Sequence, residues 1–416
     1  MKRLLTLAAA LALMLGAATA ASSAPGPLDI SGTLAGANYR IIVPGDWNGG
    51  LVVLAHGYRD RADHPGEVDD RSALDGGFAA LAGALADEGY AVAGTSYSRN
   101  GWAVKDALSD LVALTSYFDT NVAQPNRTLL VGFSLGTIPT LELAERGGGL
   151  FSGFLPACAV AAGSPRAWDG AAVNLLAYKV GFGSFPSAWG TVADSNDTVD
   201  FETQVFPIVL GQLLNPLNFG KFEFMRLVSR VPLSPSYYGP GLFTNFYFFT
   251  EARGDLEEDA GGPVVQNVTH WYSLSPADKA YLALLGVDAD SLLDQMNAQR
   301  NISAPPPSRN YLEHYATFTG AIKHPVLTMH TEVDTLVPVQ HEAAYAATVD
   351  AAGRNDVLYQ TYTTGIGHCA FTPQQTLTAI GALDTWVQTG VRPTAAAFPA
   401  ALGFDSGFVP PPWPQP

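Results

Sequence analysis

Short apolar runs alternate along this chain with segments in which apolar residues recur at helical spacing. Residues 28–43 predict a β-hairpin. Buried strands are then predicted over 51–55, 91–95, 129–133, 154–160, 325–330 and 357–362. Helices are predicted between and after them, over 78–88, 104–118, 140–146, 341–352 and 373–388. This alternation predicts an α/β fold with a doubly wound, mostly parallel sheet and right-handed crossovers.

The junction between strand 129–133 and the next helix has the sequence Gly132-Phe133-Ser134-Leu135-Gly136. A G-x-S-x-G turn in this context lifts a serine hydroxyl clear of the sheet. Glycines are required at both ends because a side chain would block so sharp a turn. The pattern predicts a nucleophile at Ser134. The alternative is an ordinary serine in the same turn of an inactive protein.

Two further candidates follow later strands. Asp334 comes shortly after strand 325–330, and His368 follows strand 357–362 in a glycine-rich loop. Open α/β sheets place functional groups at the C-terminal ends of their strands, which would bring both to one edge. Two alternatives stay open at this point. Asp334 could cap a helix, with Asp169 as the true acid, and His368 could be a structural loop residue.

The order of these motifs resembles that of the α/β-hydrolase superfamily, over residues 29–162 and 319–392. The resemblance implies that His368 takes the proton of Ser134 and that Asp334 holds the imidazole in place. It also implies an oxyanion site formed by the backbone N–H groups of Leu135 and Tyr58. His56, before Tyr58, is expected to orient that loop rather than to catalyse.

A long insertion separates the two parts of the expected core, 28–162 and 319–392. Residues 163–318 far exceed one crossover helix and lie where α/β-hydrolases carry a cap domain. Helices are predicted there over 201–214, 222–230, 276–285 and 289–300. The insertion holds 12 of the 21 phenylalanines. These rings form either the core of the cap or the wall of an apolar acyl or aromatic site.

The two ends of the chain have distinct compositions. Residues 1–20 read as a signal peptide, with Lys2 and Arg3 before a short apolar run and an A-x-A-like cleavage site. We therefore expect a secreted or periplasmic protein without a stable membrane anchor. Residues 393–416 form a Pro-rich tail, which is either a disordered end or an extended strap.

The charge of the chain limits its partners. The formal net charge is -16, and it becomes -18 once Lys2 and Arg3 are removed. Such an acidic surface argues against nucleic acid or anionic membranes as partners. It suits a soluble secreted enzyme that acts on neutral or apolar substrates, and the expected partner is a small-molecule or polymeric ester. No P-loop, dinucleotide-binding turn or metal-ligand spacing is present in the sequence, so no cofactor or metal is expected.

Cys158 and Cys369 are the two cysteines of the chain. Cys369 directly follows His368, and Cys158 lies near the end of strand 154–160, so both are expected at the same edge of the sheet. In an oxidising compartment they predict a disulfide, worth about 4–5 kcal/mol in the chain-entropy description. Tannases and feruloyl esterases are similar in placing a cysteine after the catalytic histidine, but their partner cysteine precedes the serine, where Phe133 stands here. The alternative is two buried thiols.

The sequence thus predicts an exported serine hydrolase that cleaves carboxylic esters through an acyl-enzyme. One alternative is a secreted peptidase of the proline aminopeptidase type, in which acidic residues of the cap grip a substrate amine. The candidates for that role are Glu251, Asp255, Glu257, Glu258 and Asp259. The second alternative is a binding module without catalysis.

Overall fold

A computed structural model describes residues 26–60, 74 and 78–413 of the protein. The predicted signal peptide lies outside the described residues. Eight strands form one sheet: β1 (Leu28–Leu34), β2 (Ala37–Val43), β3 (Gly50–Ala55), β4 (Ala91–Thr95), β5 (Arg127–Phe133), β6 (Gly153–Ala157), β7 (Val326–Val333) and β8 (Leu358–Ile366). Strands β3 and β4 are buried along their whole length, which explains their unbroken apolar sequences.

The strands lie in the order β1-β2-β4-β3-β5-β6-β7-β8. The hairpin β1–β2 is antiparallel, and β2 also pairs antiparallel with β4. From β4 to β8 every pairing is parallel. The predicted fold class, a mostly parallel sheet, is therefore confirmed. Because the strands are parallel, the loops that follow β3, β5, β6, β7 and β8 all emerge at one edge.

Thirteen α-helices lie in the described part of the chain: α1 (Ala79–Asp87), α2 (Val104–Asn121), α3 (Thr137–Arg146), α4 (Ser164–Phe182), α5 (Phe206–Leu213), α6 (Phe219–Val228), α7 (Leu242–Phe249), α8 (Glu251–Ala260), α9 (Pro276–Leu284), α10 (Ala289–Ala298), α11 (Pro306–Ala316), α12 (Gln340–Ala351) and α13 (Pro373–Thr389). Helices α2, α3 and α12 contribute to one buried apolar cluster, and α1 and α13 to the other. The sheet is thus covered on both faces. None of these helices is both long and apolar enough to cross a membrane.

The segment between β6 and β7 is helical and contains α4 to α11. Many of its aromatic rings pack on one another. Tyr178 and Trp189 lie 5.1 Å apart between ring centroids, and Phe246 lies 5.4 Å from Tyr178 and 5.7 Å from Trp189. All three side chains are buried. These three rings therefore form part of the core of the insertion itself.

The Pro-rich tail packs across the last strand. Phe398 stacks on Tyr359 of β8 at 5.2 Å, and Phe404 pairs with Thr363 of the same strand. Further on, the ring of Trp413 lies 4.8 Å from that of His341. Since Phe398 and Phe404 are both buried, the described part of the tail is a strap rather than a loose end.

Candidate active site

The turn that carries Ser134 depends on its two glycines. Ser134 has φ of 53°, in the left-handed region, directly after β5. A Cβ atom at Gly132 would lie 2.3 Å from Oγ1 of Thr140, and one at Gly136 would lie 2.3 Å from the carbonyl oxygen of Ala55. No side chain fits at either position. The packing that excludes side chains also holds Ser134 in its strained conformation, with its hydroxyl above the sheet.

Ser134, His368 and Asp334 form one hydrogen-bonded chain. Nε2 of His368 lies 2.7 Å from Oγ of Ser134, and Nδ1 lies 2.7 Å from Oδ2 of Asp334. The other carboxylate oxygen of Asp334 accepts hydrogen bonds from the backbone N–H groups of Leu336 and Val337, both at 2.9 Å. Because a carboxylate faces Nδ1, that nitrogen carries the proton. Nε2 is then left to accept the hydrogen bond of the serine hydroxyl.

The electrostatic surroundings keep Asp334 ionised. Its side chain is fully buried, and burial alone would raise the pKa of the carboxyl group. The neighbouring imidazoles of His368 and His330, together with the Val337 N–H group, outweigh burial and hold that pKa below its usual range. At neutral pH the site therefore presents a carboxylate to the imidazole, an arrangement that favours the imidazolium over the neutral ring.

Asp169, the alternative acid, lies elsewhere in the site. Its two carboxylate oxygens accept hydrogen bonds from the guanidinium of Arg309, at 2.8 and 3.0 Å, and one also accepts from the Gln266 N–H group at 2.8 Å. The structure therefore brings Asp334, and not Asp169, to His368. The role of Asp169 is to join α4 to α11.

The loop after β3 lies directly beside Ser134. A Cβ atom at Gly57 would be 3.1 Å from Cβ of Ser134. His56 holds this loop, since its ring nitrogens lie 2.6 Å from the Gly57 carbonyl and 3.0 Å from the Ser96 carbonyl. The N–H groups of Tyr58 and Leu135 thus belong to segments that adjoin Ser134. Their function as oxyanion donors stays a prediction.

The side chain of Tyr58 joins this loop to the insertion. Its hydroxyl donates a hydrogen bond of 2.6 Å to Asp255 of α8, and its ring lies 5.3 Å from that of Phe248 in α7. The sequence pattern indicates a role only for the backbone N–H group of Tyr58. Nothing in the local pattern indicates this contact, because the two residues are 197 positions apart.

A disulfide joins Cys158, just after β6, to Cys369, just after His368, with their Cα atoms 5.2 Å apart. Both cysteines have positive φ, 51° and 53°. The histidine loop is held further where the Gly367 N–H group donates to the Val333 carbonyl at 2.8 Å. The disulfide therefore fixes the position of His368 relative to the loop after β6.

The same residues make up the group of potential metal ligands found among the described residues. Cys158, Cys369 and His368 have ligand atoms within 4.8 Å of one another. Both sulfur atoms belong to the disulfide, and His368 is held between Ser134 and Asp334. This group therefore offers no thiolate to a metal.

A cavity of about 1050 Å³ opens above Ser134. Ser134 and Leu135 line it on the side of the sheet, and residues of α4, α6 and α7 line it on the side of the insertion. The aromatic residues of its wall are Trp102, Trp168, Phe248, Phe249, Phe318 and Trp413. Two arginines that the sequence patterns do not indicate, Arg166 and Arg230, also line it. The position of Arg166, shortly after a parallel strand of the core, was the one available signal.

The acidic run of α8 is engaged within the protein. Glu257 is buried and forms an ion pair of 3.1 Å with Arg253. Glu251 accepts a hydrogen bond of 2.6 Å from the Phe201 N–H group, and burial raises its pKa to about 7. Asp255 binds Tyr58, and Asp259 binds Arg99. Among the residues named for gripping a substrate amine, only Glu258 is exposed.

The strand order, the serine turn and the chain order serine, aspartate, histidine are together those of the α/β-hydrolase fold. No family model matches this chain. A curated relative, o-phthalyl amidase from Xanthobacter agilis, is 24% identical over 416 residues, covering 86% of this chain and 87% of the relative.

Solved structures give distant matches. The α/β hydrolase enzyme MGS-M2 from a Medee basin deep-sea metagenome library is 13% identical, covers 88% of this chain and 100% of its own, and has a TM-score of 0.41. Tannin acyl hydrolase from Aspergillus niger is 14% identical, with 88% and 79% covered and a TM-score of 0.40. Similarities this low say nothing about the activity of this chain.

Proposed function

We propose that the protein is a serine hydrolase that cleaves carboxylic esters through an acyl-enzyme intermediate. The observation that carries the proposal is the continuous hydrogen-bonded chain from Ser134 through His368 to Asp334, beneath a cavity of about 1050 Å³. A hydroxyl, a base and a buried carboxylate in this order are what nucleophilic acyl transfer requires.

The reaction has two stages. Oγ of Ser134 attacks the acyl carbonyl carbon while its proton moves to Nε2 of His368, and the tetrahedral oxyanion is bound by the N–H groups of Tyr58 and Leu135. The C–O bond then breaks, and the imidazolium returns the proton to the leaving alcohol. In the second stage water attacks the acyl-serine with His368 again as base, which releases the acid and restores Ser134.

Amide cleavage is the second candidate reaction. The specific observation in its favour is the sequence similarity to the relative from Xanthobacter agilis, which is named o-phthalyl amidase. The same residues serve an amide if His368 protonates the departing nitrogen. An aminopeptidase fits less well. Four of the five carboxylates of α8 named for binding a substrate amine are engaged by Tyr58, Phe201, Arg253 and Arg99.

Export is part of the proposal. The N-terminal pattern of residues 1–20 is that of a signal peptide. The disulfide between Cys158 and Cys369 supports an oxidising compartment, because such bonds are rare in reducing ones. Expression with residues 1–20 intact, followed by fractionation, tests this: we expect activity outside the cytoplasm and an N-terminus near position 21.

The test of the reaction is hydrolysis of 4-nitrophenyl esters, from acetate to palmitate, beside the corresponding 4-nitroanilides. Ser134→Ala is compared with Ser184→Ala, since Ser184 is exposed and lies away from the cavity. We expect Ser134→Ala to lose at least about 10³-fold in kcat on esters and Ser184→Ala to lose nothing. Serine-dependent turnover of anilides with weak ester activity would show that the protein is an amidase and not an esterase. Equal activity in both variants would refute a serine mechanism.

A further inference from the structure

Two arginines differ from the other arginines of the described part of the chain. The guanidinium groups of Arg166 and Arg230 make no ion pair, hydrogen bond or ring contact with described residues, and both side chains are exposed. Of the other arginines of the insertion, three are paired with carboxylates: Arg226 with Glu223, Arg253 with Glu257 and Arg309 with Asp169. Arg300 instead lies over the ring of Trp271, at 4.9 Å, and donates a hydrogen bond to the Val268 carbonyl. The protein has 38 acidic residues against 22 basic ones, so a shortage of carboxylates does not explain why these two arginines lack a partner among the described residues.

Both arginines line the cavity that contains Ser134. Arg166 lies in the first turn of α4, and Arg230 follows the end of α6. They approach the same structural feature, the N-terminal end of α12. The Arg230 carbonyl accepts a hydrogen bond of 3.3 Å from Gln340, and the charge of Arg166 acts on the neighbouring His341.

The described residues that line the cavity leave the two arginines without a counter-charge. Among them the one acidic residue, Asp169, is already bound by Arg309. His341 adds no charge, because burial, with smaller effects of His330 and Arg166, lowers its pKa to about 3. A strongly acidic protein thus has a positively charged wall in the cavity above its candidate nucleophile. Inside such a cleft a charge is screened less than at an open surface.

We propose that the substrate of this site carries a carboxylate separate from the scissile bond, and that Arg166 and Arg230 bind it. The proposal rests on the proposed function. A guanidinium matches a carboxylate with two parallel hydrogen bonds, which gives orientation as well as affinity. The aromatic residues of the same cavity, among them Trp102 and Trp168, suit an apolar or aromatic body. The substrate class is therefore a monoester or monoamide that bears a free carboxylate on its acyl or its leaving group.

Matched substrate pairs test the proposal. For the acyl side, mono-4-nitrophenyl isophthalate is compared with its neutral methyl ester. For the leaving-group side, 3-carboxy-4-nitrophenyl benzoate is compared with 4-nitrophenyl benzoate. The variants are Arg166→Gln, Arg230→Gln and the double variant. Arg354→Gln is the matched control, because Arg354 is a partly exposed arginine outside the cavity.

The wild type should prefer one anionic substrate over its neutral partner by at least about 10-fold in kcat/KM. Each glutamine variant should lower that kcat/KM by about 10- to 100-fold, mainly through KM, since charged hydrogen bonds are worth this much in binding. Neutral substrates should change less than about twofold, and Arg354→Gln should change neither. Arg166→Lys should recover part of the loss, and higher ionic strength should reduce the wild-type preference.

Two results would overturn the proposal: a wild type without preference for either anionic substrate, or a preference that survives in the double variant. Failure of the proposed function is a different result. In that case neither the neutral nor the anionic esters would be hydrolysed in a Ser134-dependent way. If neutral esters are turned over by Ser134 and the arginine variants leave selectivity unchanged, only the carboxylate-binding proposal fails.

Discussion

The hydroxyl of Tyr58 donates a hydrogen bond of 2.6 Å to the carboxylate of Asp255. This bond connects the loop that follows β3, beside Ser134, to helix α8 of the insertion. The segment that is predicted to supply an oxyanion donor is therefore held by Asp255 of the insertion as well as by His56 of the core. In this arrangement the insertion does more than cover the cavity, because it also positions a loop of the core.

Removal of the Tyr58 hydroxyl should slow the reaction. We expect Tyr58→Phe to lower kcat by about 10-fold with a small change in KM, because the proposed oxyanion donor, the N–H group of Tyr58, would act only on the transition state. Asp255→Asn should have a similar effect. In a double-mutant cycle the two losses should not add, since both variants break the same bond. Fully additive losses would show that the bond does not position the loop.

The acid of the site can be tested by comparing two aspartates. Asp334→Asn should reduce kcat by about 10⁴-fold, because an amide favours the wrong imidazole tautomer. Asp169→Asn should instead weaken the pairing with Arg309 and lower thermal stability, with kcat on neutral esters within a few-fold of wild type. Steady-state kinetics and a thermal melt on both variants provide the readouts. The opposite pattern would make Asp169 the acid.

The disulfide should matter for both stability and rate. It joins residues 211 positions apart and directly follows His368. We expect Cys158→Ser with Cys369→Ser to lower the free energy of unfolding by about 2–5 kcal/mol. We also expect a loss in kcat below the temperature of unfolding, because His368 is less well fixed. Denaturant titration and kinetics at 20–25 °C separate the two effects. Unchanged kcat in a folded, disulfide-free variant would show that the bond contributes to stability and not to the rate.

Much of the core could be predicted because its signals are local. The unbroken apolar runs of β3 and β4 and the two glycines around Ser134 follow directly from burial and sterics. The strand predicted over 154–160 extends beyond the C-terminal end of the observed strand. Strand β6 stops at Ala157, since Cys158 adopts a φ of 51° that no strand accommodates.

Other features could not be read from the sequence because they arise only from tertiary packing. Helix α4 was not predicted, since it is buried on most sides and therefore shows no apolar face. The acidic run of α8 is a candidate amine-binding surface in the sequence, whereas in the structure Glu257 is buried against Arg253. That Arg166 and Arg230 have no carboxylate partner among the described residues is likewise visible only once those residues have their positions.

Buried glutamates should make stability depend on pH. Glu342 is fully buried, accepts hydrogen bonds from Thr328 and Gln360, and has its pKa raised by burial to about 7. A raised pKa means that the folded state binds a proton that the unfolded state has lost. The resulting stabilisation is complete below about pH 4.5 and disappears as pH rises through about 7.

Glu342→Gln should therefore be more stable than wild type at pH 8, by about 1–3 kcal/mol, and close to wild type at pH 5. Denaturant titrations at the two pH values measure the difference. The exposed Asp356 provides a control, since Asp356→Asn should keep the wild-type pH dependence. A Glu342→Gln variant with the wild-type pH dependence would show that Glu342 is ionised in the folded state.

The most direct test of the central claim is covalent labelling of Ser134 by a fluorophosphonate, followed by peptide mass spectrometry. The account predicts one equivalent of label, located on Ser134, with loss of esterase activity in proportion to labelling. His368→Ala should label far more slowly, because the hydroxyl has lost its base. Label on another residue, or no label on a folded protein with its cavity intact, would contradict the assignment of Ser134 as the nucleophile.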